Sequence, residues 1–422
     1  MTRWRTDRPL AAFLCADPRH PFSVLAEPVE HVSSDSPDAL ERLGEHTRPD
    51  PDAPLLPGWI GRLSYDLGRV LEPGAGARTD RHPAPLIELF RVESGLVRTD
   101  HRWRSLGGPP LDDAQSERPF ALARLRPDQS RDEYTGRVRT ALEHIRAGDI
   151  YQVNLAHRSR APFTGSARAL FASLVSRADP WYACYLESTA ADQRDALISL
   201  SPELFLSYEQ NTRRVTTRPM KGTRPGRSDP RELRDAVKDK AELDMITDLM
   251  RNDLGRVCDF GSVRVDHART IEHHAEGANG GVLQATSTVS ATLRDGLSLP
   301  DLICATFPPG SVTGAPKIRA MQIIDRLEPT PRGPYCGTCF LVSDSGRAFF
   351  NVAIRTATIR GTPAPNTLDA FADAALEYHA GAGIVADSDP DTEWEETLVK
   401  TGVMAHPNDT RAPKTPHLKS QL

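Results

Sequence analysis

The segment Arg218-Pro219-Met220-Lys221-Gly222-Thr223-Arg224-Pro225 interrupts regular structure at a lysine. Pro219 ends or bends whatever precedes it, because its ring fixes φ and it carries no N–H. Gly222 lets the backbone take torsions closed to other residues. A lysine on such a bend can point inward, where desolvation lowers its pKa and makes its amine a nucleophile. The ordinary fate of a lysine beside a turn is a solvated surface cation. A carboxylate, Glu203 in Ser201-Pro202-Glu203-Leu204-Phe205-Leu206, stands not far upstream.

The chain has 422 residues, enough for one large domain or for two to three ordinary ones. A net charge of −5 provides no basic field for nucleic acid. Near the N-terminus the one apolar run, Leu10 to Cys15, is too short for a signal peptide core or a membrane span, and no later stretch spans a membrane, so the expected compartment is the cytoplasm. The six cysteines are too few for a disulfide framework. Cys336-Gly337-Thr338-Cys339 has redox-motif spacing but lies in what reads as a strand, and no second pair completes a zinc site.

Glu45 to Pro57 and Ser105 to Ser130 read as linkers or long loops, and His406 to Leu422 as a disordered tail. Ser130 and Glu133 form a capping-box pattern that opens a helix with the apolar stripe Tyr134, Val138, Ala141, Leu142 and Ile145, stopped by Gly148. A strand, Ile150 to His157, follows, with Gln152 and Asn154 sharing one face. Asp229-Pro230 starts a second long helix, with Glu242, Ile246 and Leu249 on its inner stripe and Asp239 one turn before Glu242. A carboxylate on such a stripe needs a cation or hydrogen bonds to offset its desolvation, unless it sits at the stripe's edge. Near the C-terminus, Tyr378 to Ala386 reads as a glycine-containing strand. Asp389-Pro390 then caps a helix carrying Glu393, Glu395 and Glu396, whose acidic side chains also suit the helix dipole.

Gly310-Ser311-Val312-Thr313-Gly314-Ala315-Pro316-Lys317 is not a P-loop, because its lysine does not follow the second glycine and a proline occupies the cradle. It reads as a loop feeding a helix N-terminus, either a plain cap or an anion site. His273-His274 has no partner at metal spacing.

Taken together, these segments resemble the chorismate-utilising enzymes, a family that includes anthranilate, aminodeoxychorismate, isochorismate and salicylate synthases. The resemblance runs from roughly Ser130 to Met404 and is weaker over Gly58 to Gly68. It rests on Gly148-Asp149-Ile150-Tyr151-Gln152-Val153-Asn154-Leu155, the Ser201 and Arg218 segments, Glu242 through Gly255, Pro309 through Lys317, Phe350 through Thr356, and Gly381 through Thr397.

The resemblance implies an α+β fold, an antiparallel β-sandwich core with peripheral helices. Residues 1–110 would supply the N-terminal part of the sandwich, 125–405 the catalytic region and 406–422 the tail. It implies Mg²⁺ between protein carboxylates and the ring carboxylate of chorismate, at Glu242 and Glu396, with Asp239 and Glu393 as water-mediated partners. Oxygen-only ligands suit that ion. Arg355, Tyr335, Lys400 and the backbone at Gly381, Ala382 and Gly383 match positions that hold the substrate's carboxylates. Gln284 stands where anthranilate synthases carry a catalytic histidine.

Three positions separate the members. Gln152 replaces the water-activating lysine of isochorismate and salicylate synthases. Lys221 and Asn154 match the aminodeoxychorismate group, in which the lysine attacks ring C2 before ammonia adds at C4. By the same resemblance Glu203 is the general acid–base and Thr223 orients substrate. The implied partner is a separate glutamine amidotransferase subunit that supplies ammonia, since none of the six cysteines has a glutaminase setting. Anthranilate synthase and a non-catalytic chorismate-binding paralogue remain alternatives.

Overall fold

The computed structural model describes residues 4–50, 52–76, 78–99, 102–108, 111, 119–190, 193–274 and 281–404. The expected tail at 406–422 lies outside the described residues. Every strand pairing among the described residues is antiparallel.

The pairings form one long ribbon. Gln152–Ser166 pairs with Ala370–Ile384, then Thr356–Pro363, Gln193–Ser201, Tyr182–Ala190, Ala11–Cys15 and Phe22–Ser34. It continues through Ile87–Thr99, Gly58–Leu63, Thr338–Ser343, Arg347–Asn351, Leu204–Glu209, Arg214–Arg218 and Val282–Thr292. N-terminal strands are thus interleaved with C-terminal ones within the sandwich.

The ribbon folds back on itself because its strands alternate apolar side chains. Phe13, Ile60, Cys184, Leu197, Cys339 and Leu341 form one buried cluster between the two layers. Asn351 spans the gap, donating from Nδ2 to the Tyr182 carbonyl at 3.0 Å. The helix Ala167–Ala178 covers one outer face, with Phe171 and Leu174 against Tyr185, Ile198 and Leu376. Helices Arg131–Arg146, Val237–Gly255, Leu299–Thr306 and Lys317–Leu327 cover the other, sharing a core with Val153, Leu155, Phe205 and Phe350.

The capping box at Ser130 forms as expected: Ser130 N–H donates to Glu133 Oε2 at 2.7 Å and Glu133 N–H to Ser130 Oγ at 3.3 Å. The helix expected from Asp229 is instead two helices, Pro230–Arg234 and Val237–Gly255. The chain turns at extended Ala236. That break lets Leu233 and Leu243 meet over Leu283 and Ala285. The buried stripe of the second helix runs through Leu243, Ile246, Thr247, Met250 and Leu254, so Glu242 and Leu249 lie on its flank.

Two further expectations change. The segment Tyr335–Gly337 is a turn, with Cys336 at φ +62°, and the strand begins only at Thr338. The long loop before Ser130 contains Phe120–Leu122 and Arg126–Pro127, which add to the edge of the Gln152–Ser166 strand. All six cysteines are free thiols.

Candidate active site

Lys221 lies in the strand Met220–Pro225, which runs along Val282–Thr292. The register slips at Gly222: Lys221 faces Ala285, while Thr223 faces Gln284. Gly222 sits at φ +81°, a region that favours glycine. A side chain there would also meet Leu233 Cδ1 at 2.8 Å and Asp239 Cγ at 2.9 Å. The bend foreseen from Pro219 and Gly222 is therefore a bulge against which two helices pack.

The half-buried Lys221 side chain reaches the strand Ala370–Ile384. Its Nζ is 3.1 Å from the place a Cβ on Gly383 would take, and Gln152 Nε2 is 3.2 Å from that same point. Gln152 is fully buried, yet neither Nε2 nor Oε1 has a hydrogen-bond partner among the described residues. An amide left so is costly unless a bound molecule satisfies it. Asn154, on the same strand, pairs in register with Gly383 and directs Nδ2 toward Cys336 Sγ at 4.0 Å.

Glu203 follows the strand Gln193–Ser201 and is 3% exposed. Its own carbonyl accepts from Val352 N–H at 3.0 Å, which ties the loop to the opposite layer. Burial raises its carboxyl to about 7. The Ser311 hydroxyl, the Lys221 charge and the Met220 N–H oppose that rise. A carboxyl poised near neutral pH suits proton transfer in both directions. In the sequence, the one signal for Ser311 is its place in the Gly310–Lys317 loop. Lys317 of that loop turns inward to Asp253 Oδ2, 2.5 Å away, so it is a structural cation.

Glu242 and Glu396 project from different helices, Val237–Gly255 and Pro390–Thr401. Burial raises the Glu242 carboxyl, and the charges of Asp239 and Glu396 add to the rise while Lys221 and Lys238 oppose it. Glu396 is half exposed; desolvation acts to raise its carboxyl, but Lys400, Lys221 and Lys238 hold it below its usual value. The two carboxylates thus share one electrostatic field with Lys221. Glu393 is 7% exposed and raised by burial, tempered by the Ser388 hydroxyl. Asp239 pairs with Arg224 at 2.7 Å. Lys238 stands four residues before Glu242, a spacing that puts both on one helix face and is the sequence's one signal for it. Among the described residues no three His, Cys, Asp or Glu side chains converge to hold a metal ion.

The remaining residues fall into three groups. Tyr335 is buried, stacks on His379 with ring centroids 5.4 Å apart, and brings its hydroxyl to 2.9 Å from where a Cβ on Gly381 would be. Ala382 is buried beside it. Lys400 donates to the Gly381 carbonyl at 2.7 Å and pairs with Glu396 at 2.7 Å, so it pins helix to strand. Arg355 sits at φ +51° with its carbonyl accepting from Leu200 N–H at 3.0 Å. Its guanidinium makes no hydrogen bond or ion pair among the described residues, and burial depresses its pKa. An unpaired, half-buried arginine is a ready anion site. Thr223 is exposed, and Gln284 is 5% exposed with Oε1 lacking a partner. The register puts these two together, one position beyond the bulge from Lys221.

The chain belongs to the family described as chorismate binding enzyme, which matches residues 9–406. It is 36% identical over 392 residues to aminodeoxychorismate synthase component 1 of Salmonella typhimurium, covering 87% of this chain and 80% of that protein. It is 37% identical over 409 residues to anthranilate synthase component 1 of Thermus thermophilus, covering 89% and 82%. Among solved structures it resembles anthranilate synthase component I of Streptococcus pneumoniae, with a TM-score of 0.71 at 26% identity over 94% of this chain and 92% of that one. A menaquinone-specific isochorismate synthase from Escherichia coli shares the fold at a TM-score of 0.69 and 17% identity, covering 96% and 89%. Among the described residues no helix is long and apolar enough to cross a membrane.

Proposed function

We propose that this protein is the synthase subunit of an aminodeoxychorismate synthase, converting chorismate and ammonia to 4-amino-4-deoxychorismate. The carrying observation is the Lys221 amine at Gly383 beside the unpartnered Gln152 amide, in the field of Glu203, Glu242 and Glu396. Glutamine at 152 offers no base for water, whereas lysine at 221 offers a nucleophile.

The Lys221 amine adds to ring C2. The ring double bond shifts and the C4–O bond breaks, with Glu203 giving its proton to the departing hydroxyl. Ammonia then adds at C4, the double bond returns, and the C2–N bond breaks to release Lys221. The surplus proton of the incoming nitrogen passes to Glu203, which restores the acid. Arg355 faces a substrate carboxylate, and Tyr335 with the Gly381–Gly383 backbone lines the wall behind it. Thr223 and Gln284 would contact the substrate from the neighbouring strands.

Glu242 and Glu396, both hard oxygen donors in one field, fit Mg²⁺ provided that water and a substrate carboxylate complete the shell. Bound there, Mg²⁺ would supply positive charge to the ring carboxylate. Asp239 and Glu393 stand one turn before these two on their helices, where the resemblance puts water-mediated partners. The naming of relatives as component 1 supports a second subunit, for which we propose a glutaminase delivering ammonia. The product would feed p-aminobenzoate and folate synthesis or a p-aminobenzoate-derived metabolite.

Anthranilate synthases of comparable identity make that activity the second reading. One incubation separates them: chorismate, Mg²⁺ and ammonium, followed by an aminodeoxychorismate lyase. p-Aminobenzoate is the expected product. Anthranilate, with or without lyase, overturns the proposal, and unconsumed chorismate favours a binding-only protein.

A further inference from the structure

Asp239 does not stand free over the cleft. Its Oδ2 accepts from Arg224 at 2.7 Å, and its side chain fills the space beside Gly222, with Cγ 2.9 Å and Cβ 3.0 Å from where a Gly222 Cβ would be. It therefore touches the Lys221 strand at two points, the bulge itself and the residue two positions beyond it. Leu233 Cδ1 closes the same space at 2.8 Å. Asp239 is one-fifth exposed and Arg224 one-third exposed, so solvent weakens the ion pair, and contact at the bulge carries much of the restraint.

We propose that Asp239 is a positioning residue for the Lys221 nucleophile: it locks the Gly222 bulge and, through Arg224, the strand that follows. This rests on the covalent reading of Lys221 given above. The consequence lies in the bulge. With Gly222 at φ +81° and the register slipped, Lys221 pairs with Ala285 and its amine arrives at Gly383. Were the bulge to relax, the period of two along a strand would swing Lys221 toward the other face. A carboxylate serving only metal-bound water would instead leave the bulge to be held by Leu233 alone.

The two roles separate experimentally. Purified wild type, Asp239→Ala, Asp239→Asn and Arg224→Gln are incubated with chorismate and Mg²⁺ without ammonia. The adduct on Lys221 is followed by mass spectrometry, and Mg²⁺ binding to the free protein by calorimetry. Asp239→Ala and Arg224→Gln should each slow adduct formation by about tenfold or more, and in Arg224→Gln, which lies outside the metal site, Mg²⁺ affinity should stay within about twofold. Asp239→Asn keeps the volume against Gly222 and should fall between them and wild type. Arg224→Gln alters an exposed group and remains informative if Asp239→Ala fails to fold.

Weakened Mg²⁺ binding in the Asp239 variants, with adduct formation at the wild-type rate, overturns the inference, as does no effect on either. If wild type forms neither adduct nor aminated product, the covalent reading itself falls and takes this role with it. If wild type forms the adduct and the variants match it, only the role of Asp239 falls.

Discussion

The Lys221 amine reaches Gly383 across two strands that lie far apart in the sheet order, with Nζ 3.1 Å from the position a Gly383 Cβ would take. Gly383→Ala tests what that contact is for. The atoms nearest the added methyl would be Lys221 Nζ and the Gln152 amide, both far ends of flexible side chains. Stability should therefore change little. The amine, however, must give by a few tenths of an ångström, and since a displacement of about 1 Å at a reacting atom can lower the rate by about 100-fold, a smaller loss follows. The expected result is a several-fold drop in kcat for C4 amination with an unaltered thermal melt. Near-wild-type kcat would mean that Lys221 reaches the substrate from elsewhere.

Glu203 ties activity to stability through pH. Its carboxyl ionises at about 7 in the folded protein against a usual 4.5. Between those values the folded state keeps a proton that the unfolded state releases, so stability falls as pH rises from 4.5 to about 7 and stays lowered above it. A shift of that size corresponds to at most roughly 3–4 kcal/mol. Glu203→Gln should thus melt higher than wild type at pH 8 and equally at pH 4.5, while losing C4 amination. Wild-type activity with ammonium should show a limb near pH 7 that is absent from the variant's residual rate. Equal melting of the two proteins at pH 8 would show that the buried carboxyl is not strained.

How far the sequence could lead is plain at these residues. Pro219 and Gly222 announced a bend at Lys221 because their torsional limits are local. Ser130 and Glu133 announced a helix start for the same reason. Glu242 could not be placed between stripe and flank, because periodicity ignores the break at Ala236 that rotates the second helix. The meeting of Lys221 with Gly383, or of Asp239 with Gly222, depends on long-range pairing that no local pattern encodes. The motifs of the resemblance named the members of the site without giving their contacts. Gln284 shows the limit: the register sets it opposite Thr223, with Oε1 buried and unpartnered, and what it contacts during turnover is set by the substrate.

Removing divalent metal should abolish turnover and leave the fold intact, since Glu242 and Glu396 come from helices already packed by Leu243, Ile246 and Trp394. Glu242→Gln should raise the Mg²⁺ concentration needed for half-maximal rate by roughly tenfold or more, since one of two proposed protein ligands loses its charge. It should also relieve the repulsion between Glu242 and Glu396 in the free protein, so that melting without metal rises slightly. Unchanged Mg²⁺ dependence in this variant would remove Glu242 from the metal site.

Arg355 carries the clearest conflict between fold and function. Its guanidinium is half-buried, has no ion-pair partner among the described residues, and is disfavoured in its charged form by burial. A group of that kind is retained at a cost unless an anion pairs with it. Arg355→Gln should therefore leave the melting temperature unchanged or raise it, while chorismate KM rises roughly ten- to hundredfold, the range expected for hydrogen bonds to a charged partner. Arg355→Lys keeps the charge but loses the planar fork, and should recover only part of the loss. Chorismate added to wild type should raise its melting temperature, and the same addition should have little effect on Arg355→Gln. If both proteins are stabilised equally, the substrate carboxylate is held by other donors, and the unpaired arginine needs a different anion.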